Sequence, residues 1–483
     1  MKEKKLANNI FFYSVKQICA ILFPMIVYPY VTRTLGVNNL GEVEYAKSIV
    51  QYFVLLGGFG ISDYAIREGS RIRDNKSKMN QFATQIIAIH AVSTCVAIIG
   101  VILSSSINQF IEYRPLILVF MLIIPFNFIG TEWLFGIYEN YRYISIRTII
   151  MQLVSFALTF VCIHDQNDYL KYAFILVLST VGAGILNVPL AHRYFKLDFS
   201  QLEIKRHLKP ISLIFGMAVA GGLYTTMDTS MLGLLVGTVS VGYYAAANKL
   251  VNLIATFVGA VRTVLLPRLS YAVGTGDENT FKRINSNTLL IILMLAIPIA
   301  GGILCLSQDI ILIFCGKSFV PGAVALRLLV PEIILSAVNG YIVYQIFLPL
   351  KKEKNAIICI ASGAISNLCA NSILIPIMQQ NGAAIATCIS EGVVLIVAII
   401  LSSKWLAECI DWHEVLKEIM KFFVSGTVMT LICLVISDAL SDTLMKLILT
   451  IPVGVIIYFS GLILMKEKIC LVILKRVLER QKH

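Results

Sequence analysis

Six ionisable side chains fall within stretches of sequence that are otherwise apolar: Lys16, Lys47, Asp228, Lys249, Arg262 and Glu391. A charge at the centre of a membrane-crossing helix costs about 2.5 to 3.5 kcal/mol on insertion scales, so each needs a role or a partner. Lys16 sits about 9 Å into a first helix, where it either lines a cavity or snorkels to the headgroups. Lys47 and Lys249 stand at the outer ends of the second and eighth helices, and interfacial anchoring is the competing reading for both. Arg262 lies about 9 Å along its helix from Arg268, too deep for solvation unless water or a partner reaches it. If the two halves of the chain face each other, these four cations converge on one cleft. Lys point charges and an Arg fork suit an anion there, phosphate in particular.

The two acids carry a different chemistry. Asp228 lies in TTMDTS, where Thr225, Thr226, Thr229 and Ser230 make a polar patch suited to a proton, a cation or a basic partner. Glu391, with Glu332 and the i, i+4 pair Asn367 and Asn371, reads as a structural polar network. Asp228 and Glu391 thus have two readings, coupling to H+ or Na+ and simple charge partnership. Asp63 and Arg67, also i, i+4, read as an exposed helix pair.

No other cofactor, no metal and no catalytic residue is indicated. Eleven cysteines form no CxxC, six histidines are scattered, and the GKS at 316–318 lacks a P-loop glycine because position 311 is Ile. His413-Glu414 lacks the second histidine of a zinc-protease helix. The chain reads as a transporter and not as an enzyme.

The elements that must position these groups are set by composition. Hydrophobic residues make up 58% and charged residues 14% of the chain, with mean hydropathy +0.82, which describes an all-α polytopic membrane protein. About fourteen stretches are long and apolar enough to span, among them 10–31, 43–66, 116–138, 148–163, 211–235, 243–267, 323–348, 355–377 and 383–401. Roughly three quarters of the 40 Lys and Arg residues fall on one side of this topology, which makes both termini cytoplasmic. The net charge of +12 is thereby a topological signal, and no nucleic-acid partner is implied. The first apolar run continues past Pro24 and Pro29 without a small-residue cleavage site, so it reads as a retained helix. Trp405–Leu416 reads as an amphipathic interfacial helix. So does the tail, with Ile469, Val472, Ile473, Val477 and Leu478 set against Lys468, Lys475, Arg476 and Arg480. The longest outer loop is expected at 307–322.

A shift of 201 positions pairs Gly36 with Gly237, Gly41 with Gly242, Ala46 with Ala247, Val50 with Val251, Gly58 with Gly259 and Arg67 with Arg268. An even number of helices between the copies makes the repeat parallel, a transporter pattern whose substrate site lies between repeats. Gly57, Gly58 and Gly60 follow no strand and read as packing or hinge glycines.

YPYVTRTLGVNNLGEVEYAKSIVQYF, then FGISDYAIREGSR and a basic loop, with NGAAIAT before helix twelve, resembles the bacterial polysaccharide (O-antigen) flippases of the multidrug/oligosaccharidyl-lipid/polysaccharide exporter superfamily. The resemblance implies two six-helix bundles, residues 1–200 and 201–404, with an amphipathic linker, helices thirteen and fourteen and a cytoplasmic tail in 405–483. It further implies alternating-access movement of undecaprenyl-diphosphate-linked oligosaccharide from the inner to the outer leaflet of the bacterial cytoplasmic membrane. A cationic cavity of Lys16, Lys47, Lys249 and Arg262 would hold the head. Membrane lipids, a polysaccharide polymerase and a chain-length regulator are the partners it implies. Asp228 and Glu391 are the best support for the rival within the superfamily, a multidrug or metabolite extruder. A glycan polymerase or ligase is a further rival, although the outer loop carries none of the acidic or His/Arg chemistry such an enzyme needs.

Overall fold

With no water in a bilayer core to satisfy peptide groups, an apolar chain of this kind folds into helices that bond their own backbones. The computed structural model describes residues 2–191, 193–200 and 202–472, and among them every regular element is helical. The tail residues Ile473, Lys475, Arg476, Val477, Leu478 and Arg480 lie outside the described residues. Eleven helices among the described residues are long and apolar enough to cross a membrane, and the chain is a multi-pass membrane protein. It divides into two compact units, Met1–Gly242 and Tyr243–His483.

The first unit begins with α1 (Lys2–Gly58), α2 (Ile61–Ile72) and α3 (Lys76–Ser104). It continues through α4 (Arg114–Met121), α5 (Ile123–Gly130), α6 (Glu132–Ile137), α7 (Tyr141–Cys162), α8 (Tyr169–Ile185), the single turn α9 (Val188–Ala191) and α10 (Lys205–Leu235). At 57 residues α1 is roughly 85 Å long, far more than the ~30 Å hydrocarbon core. It is broken at Gly36 (φ 75, ψ 179), a left-handed conformation that favours glycine. Before the break, α1 runs parallel to α7: Phe23 meets Phe156, and Tyr30 stacks near Phe160 while its hydroxyl donates to the Ile163 carbonyl at 2.5 Å. After the break, α1 runs antiparallel to α10, Tyr45 lying on Gly233, Leu55 on Gly222 and Phe59 on Phe215. Glycine at 222 and 233 lets the helices approach, as small residues do in membrane bundles.

The second unit holds most of α11 (Thr238–Thr275), then α12 (Glu278–Cys315), α13 (Ala323–Leu328), α14 (Val330–Tyr341), a π-helical turn Ile342–Phe347, α15 (Glu353–Cys409), α16 (Trp412–Ala439) and α17 (Thr443–Leu464). The 57-residue α15 is broken at Gln379 (φ 52, ψ −129). Gly301, Gly426 and Gly454 seat α12, α16 and α17 against one another at Met429, Ile297 and Cys433. The buried Glu418 pairs with Lys421 at 2.8 Å within α16, and Lys421 also donates to the Lys466 carbonyl.

Several sequence expectations change. The second span does not run unbroken over 43–66: Phe59 and Gly60 take positive φ, and α2 starts afresh at Ile61. Gly60 thus marks the break between α1 and α2 and packs closely on the Phe215 main chain. The 116–138 stretch is three short helices, α4 and α5 parting at Leu122 and α5 and α6 at the left-handed Thr131, and 323–348 divides into α13, α14 and the π turn. The expected outer loop at 307–322 is mostly helix, since α12 continues to Cys315 and a 3-10 turn covers Lys317–Gly322. Trp405–Leu416 is not one interfacial helix: α15 ends at Cys409, Ile410 is extended, and α16 starts at Trp412. Its indole still bridges the break, donating to the Leu406 carbonyl at 3.0 Å. Arg67 pairs with Glu68 at 3.1 Å instead of serving Asp63.

Candidate functional site

In the first unit, the break at Gly36 separates Lys16 from Lys47 along α1. Lys16 is half-buried. Lys47 is partly neutralised within its own helix, its Nζ lying 3.0 Å from Glu44. Asp228, 6% exposed, lies on α10 where that helix packs against the part of α1 that follows the break. Two residues on, Ser230 shares a 2.5 Å hydrogen bond with the Tyr52 hydroxyl, which sets Asp228 near the level of Tyr52, about 7 to 8 Å along α1 from Lys47. The TTMDTS patch is mostly turned to its own helix: Thr225 and Thr226 donate to the Gly222 carbonyl, and Ser230 bonds back to Thr226 and Met227.

The first unit also buries a cation that the sequence pattern hides. Arg147 is only 2% exposed. Its Nη1 donates to the Ala183 carbonyl at 2.9 Å, its Nη2 lies 3.1 Å from Glu132, and its guanidinium sits over the rings of Phe135 and Tyr143. One side chain thereby ties α6, α7 and α8. Residue 148 was the expected start of this span, which left Arg147 in a basic loop; α7 starts at Tyr141 and carries it into the packed interior. Arg147→Ala should lower stability by about 2 to 4 kcal/mol through the cavity and the orphaned carbonyl. Arg147→Met, which keeps the packing volume, should cost clearly less, because no cavity forms and the Glu132 carboxylate left behind is 60% exposed and stays solvated. Thermal unfolding of the two purified variants measures the difference.

In the second unit, Arg262 and Glu391 come together. Arg262 reaches from α11 to α14, with Nη1 3.5 Å from the Ser336 carbonyl and 3.4 Å from that of Ala337. The guanidinium lies on Gly340, where any Cβ would collide with it, and over the ring of Tyr344 at 5.7 Å. Both carbonyl contacts are near the limit for a hydrogen bond, so this cation is parked instead of locked. Its backbone is fixed more firmly, since Gln345 donates Nε2 to the Arg262 carbonyl at 3.0 Å. Glu391 on α15 is 8% exposed and acts electrostatically on Arg262. Asn339, next to Gly340, donates Nδ2 to Glu391 Oε2 at 2.5 Å and to the Glu391 carbonyl at 2.9 Å.

Asn367 and Asn371 do form the expected buried pair, Nδ2 of Asn371 donating to Oδ1 of Asn367 at 2.9 Å. Glu391 is bonded to Asn339, a residue the sequence reading passed over together with Tyr344 and Gln345. The signal available was three polar side chains, Asn339, Tyr344 and Gln345, within one short apolar stretch; the structure adds a π turn over Ile342–Phe347, a geometry frequent at functional sites. Lys249 is half-buried on α11. Among the described residues, no group of three or more His, Cys, Asp or Glu side chains is placed to hold a metal ion.

This arrangement of long, broken helices has known counterparts. The family described as Polysaccharide biosynthesis protein matches residues 6–273, and the MatE family matches residues 214–373. The chain is 24% identical over 403 residues to a putative O-antigen transporter of Escherichia coli (strain K12), covering 80% of this chain and 94% of that one. It is also 24% identical over 426 residues to a probable flippase, AglR, of Haloferax volcanii, covering 84% of each. Among solved structures, the lipid II flippase MurJ in an inward closed conformation superposes with TM-score 0.80 at 16% identity, covering 95% of this chain and 100% of that one. An inward-facing multidrug resistance MATE family transporter superposes with TM-score 0.60 at 13% identity, covering 83% of this chain and 98% of that one. At these identities the superpositions establish the fold.

Proposed function

From the membership of this chain in the polysaccharide biosynthesis protein family, within the multidrug/oligosaccharidyl-lipid/polysaccharide exporter superfamily, we propose that it is a flippase for lipid-linked oligosaccharides. The head is a polyprenyl-diphosphate-linked sugar repeat unit, undecaprenyl in bacteria, carried from the cytoplasmic to the outer leaflet for a surface polysaccharide. The observation that carries this reading is Arg262: a guanidinium half-buried among apolar helices, loosely held on backbone carbonyls and able to exchange them for a phosphate.

The chemistry follows from charge. The diphosphate meets Arg262 with Lys16, Lys47 and Lys249 while the polyprenyl tail stays in lipid. An inside-negative potential is worth about 2.3 kcal/mol per charge per 100 mV, so two diphosphate charges moving outward gain about 4 to 5 kcal/mol. Alternating access then needs no ATP. Countertransport of H+ or Na+ through Asp228 is a second source of drive. In this reading the chain lies in the cytoplasmic membrane with fourteen spans, both termini inside, and works beside a polysaccharide polymerase and a chain-length regulator. Division of α1 and α15 at their breaks, together with the apolar pair α4 and α5, is compatible with that number.

The test is made in cells lacking the protein. Complete lipid-linked repeat units should accumulate facing the cytoplasm while surface glycan is lost. Normal surface glycan with altered sensitivity to cationic drugs would overturn the reading in favour of an extruder, the alternative that the MatE match over residues 214–373 keeps in play.

A further inference from the structure

Arg262 is held in a way that suits letting go as much as holding. A cation that bound a diphosphate at full strength would trap it, because a desolvated Arg–phosphate pair is among the stronger polar contacts available to a protein. The second unit contains a device that weakens that grip. Glu391 is buried and, as a carboxylate, opposes the charge of the guanidinium through a medium of low polarity. Asn339 fixes where that charge sits, by bonding both the carboxylate and the main-chain carbonyl of the same residue. It does so from the position adjacent to Gly340, on which the guanidinium rests. Asn339 is itself 5% exposed.

We infer that Glu391, aimed by Asn339, is the release group of the anion site: a counter-charge that lowers the affinity of Arg262 for an anionic head so that the head can leave. The inference rests on the flippase reading above and assigns a role within it. Asn339 acts through Glu391 and is a positioning residue. Its amide engages the carboxylate, which otherwise has the guanidinium as its natural partner. Removal of the carboxylate charge and removal of the amide therefore act in opposite directions. Glu391→Gln strips the counter-charge and leaves only the long carbonyl contacts and the Tyr344 ring to compete with the ligand for Arg262. Asn339→Ala frees Glu391 to close on Arg262 and compete with the ligand.

The experiment is equilibrium binding of farnesyl diphosphate, a short polyprenyl diphosphate, to the purified full-length protein in nanodiscs, with export of surface glycan measured in cells for the same variants. Glu391→Gln should bind about tenfold more tightly than wild type and export more slowly, release having become limiting. Asn339→Ala should bind more weakly, and Asn339→Ala/Glu391→Gln should bind as tightly as Glu391→Gln alone. In Arg262→Gln/Glu391→Gln the gain should vanish. A generally damaged fold weakens binding in every variant and cannot produce the opposite signs. Saturable wild-type binding with no tightening in Glu391→Gln overturns the release role and leaves the flippase reading standing. Absence of saturable binding by wild type overturns the flippase reading, and the inference with it.

Discussion

Arg262→Ala should lower export of surface glycan by about two orders of magnitude at unchanged protein level. The guanidinium lies on Gly340 and under Tyr344 with only long contacts to the Ser336 and Ala337 carbonyls, so its removal leaves few internal bonds unmade. The cost falls on the ligand instead. Truncation of one partner of a buried, hydrogen-bonded charge pair costs roughly 2 to 5 kcal/mol, about 30-fold to several thousandfold. Arg262→Lys keeps the charge and loses the planar fork, and should fall between, near tenfold. Lys16→Ala should act in the same direction with a smaller effect, since a half-buried lysine is a hydrated point charge. The readout is the fraction of lipid-linked oligosaccharide exposed on the outer leaflet, normalised to protein in the membrane. Export at wild-type levels in both Arg262→Ala and Lys16→Ala would remove the cationic site from the mechanism.

Arg262 was legible in the sequence and its surroundings were not, for one physical reason. A charge within an apolar run stands out because its burial is expensive wherever it points. Neutral polar residues such as Asn339 and Gln345 carry little such penalty, and a bond between α14 and α15 leaves no mark on local spacing. Arg147 shows the converse. It follows Arg142 in a basic segment, so hydropathy assigns it to a loop, and only the packing of Ala183 and Glu132 around it reveals a buried clamp. Helix boundaries failed in a related way. The dips in hydropathy near 36–42 and 378–382 were real, but hydropathy cannot distinguish a loop from one residue leaving helical geometry. At Gly36 and Gln379 a single residue suffices, and Asn38, Asn39 and Glu42 remain helical and polar at a span's end. Two of the three repeated glycine pairs have a backbone cause, since Gly36 and Gly237 take positive φ and Gly41 and Gly242 meet main chain, whereas Gly58 faces open space.

The main-chain contact at Gly41 makes Gly41→Ala a large stability loss in the first unit, comparable with that of Arg147→Ala. A Cβ on Gly41 would run into the Thr238 carbonyl, and a Cβ on Gly242 would run into that of Val37. The two collisions are one contact seen twice, since the shift of 201 positions that carries Gly41 to Gly242 also carries Val37 to Thr238. Thr238 reinforces it by donating its hydroxyl to Asn38 Oδ1 at 2.7 Å. The obstacle in each case is main chain, which cannot swing aside as a side chain can, so the helix starts must separate to admit even a methyl group. Overpacking costs typically 1 to 3 kcal/mol, and a backbone-to-backbone contact should reach about 3. Gly242→Ala should cost a similar amount. The double variant should cost little more than either single one, because the separation forced by the first methyl already makes room for the second, giving a coupling of about 2 kcal/mol in a double-mutant cycle. Thermal unfolding of the three variants in one detergent decides the point: fully additive losses would mean that the two glycines serve separate contacts.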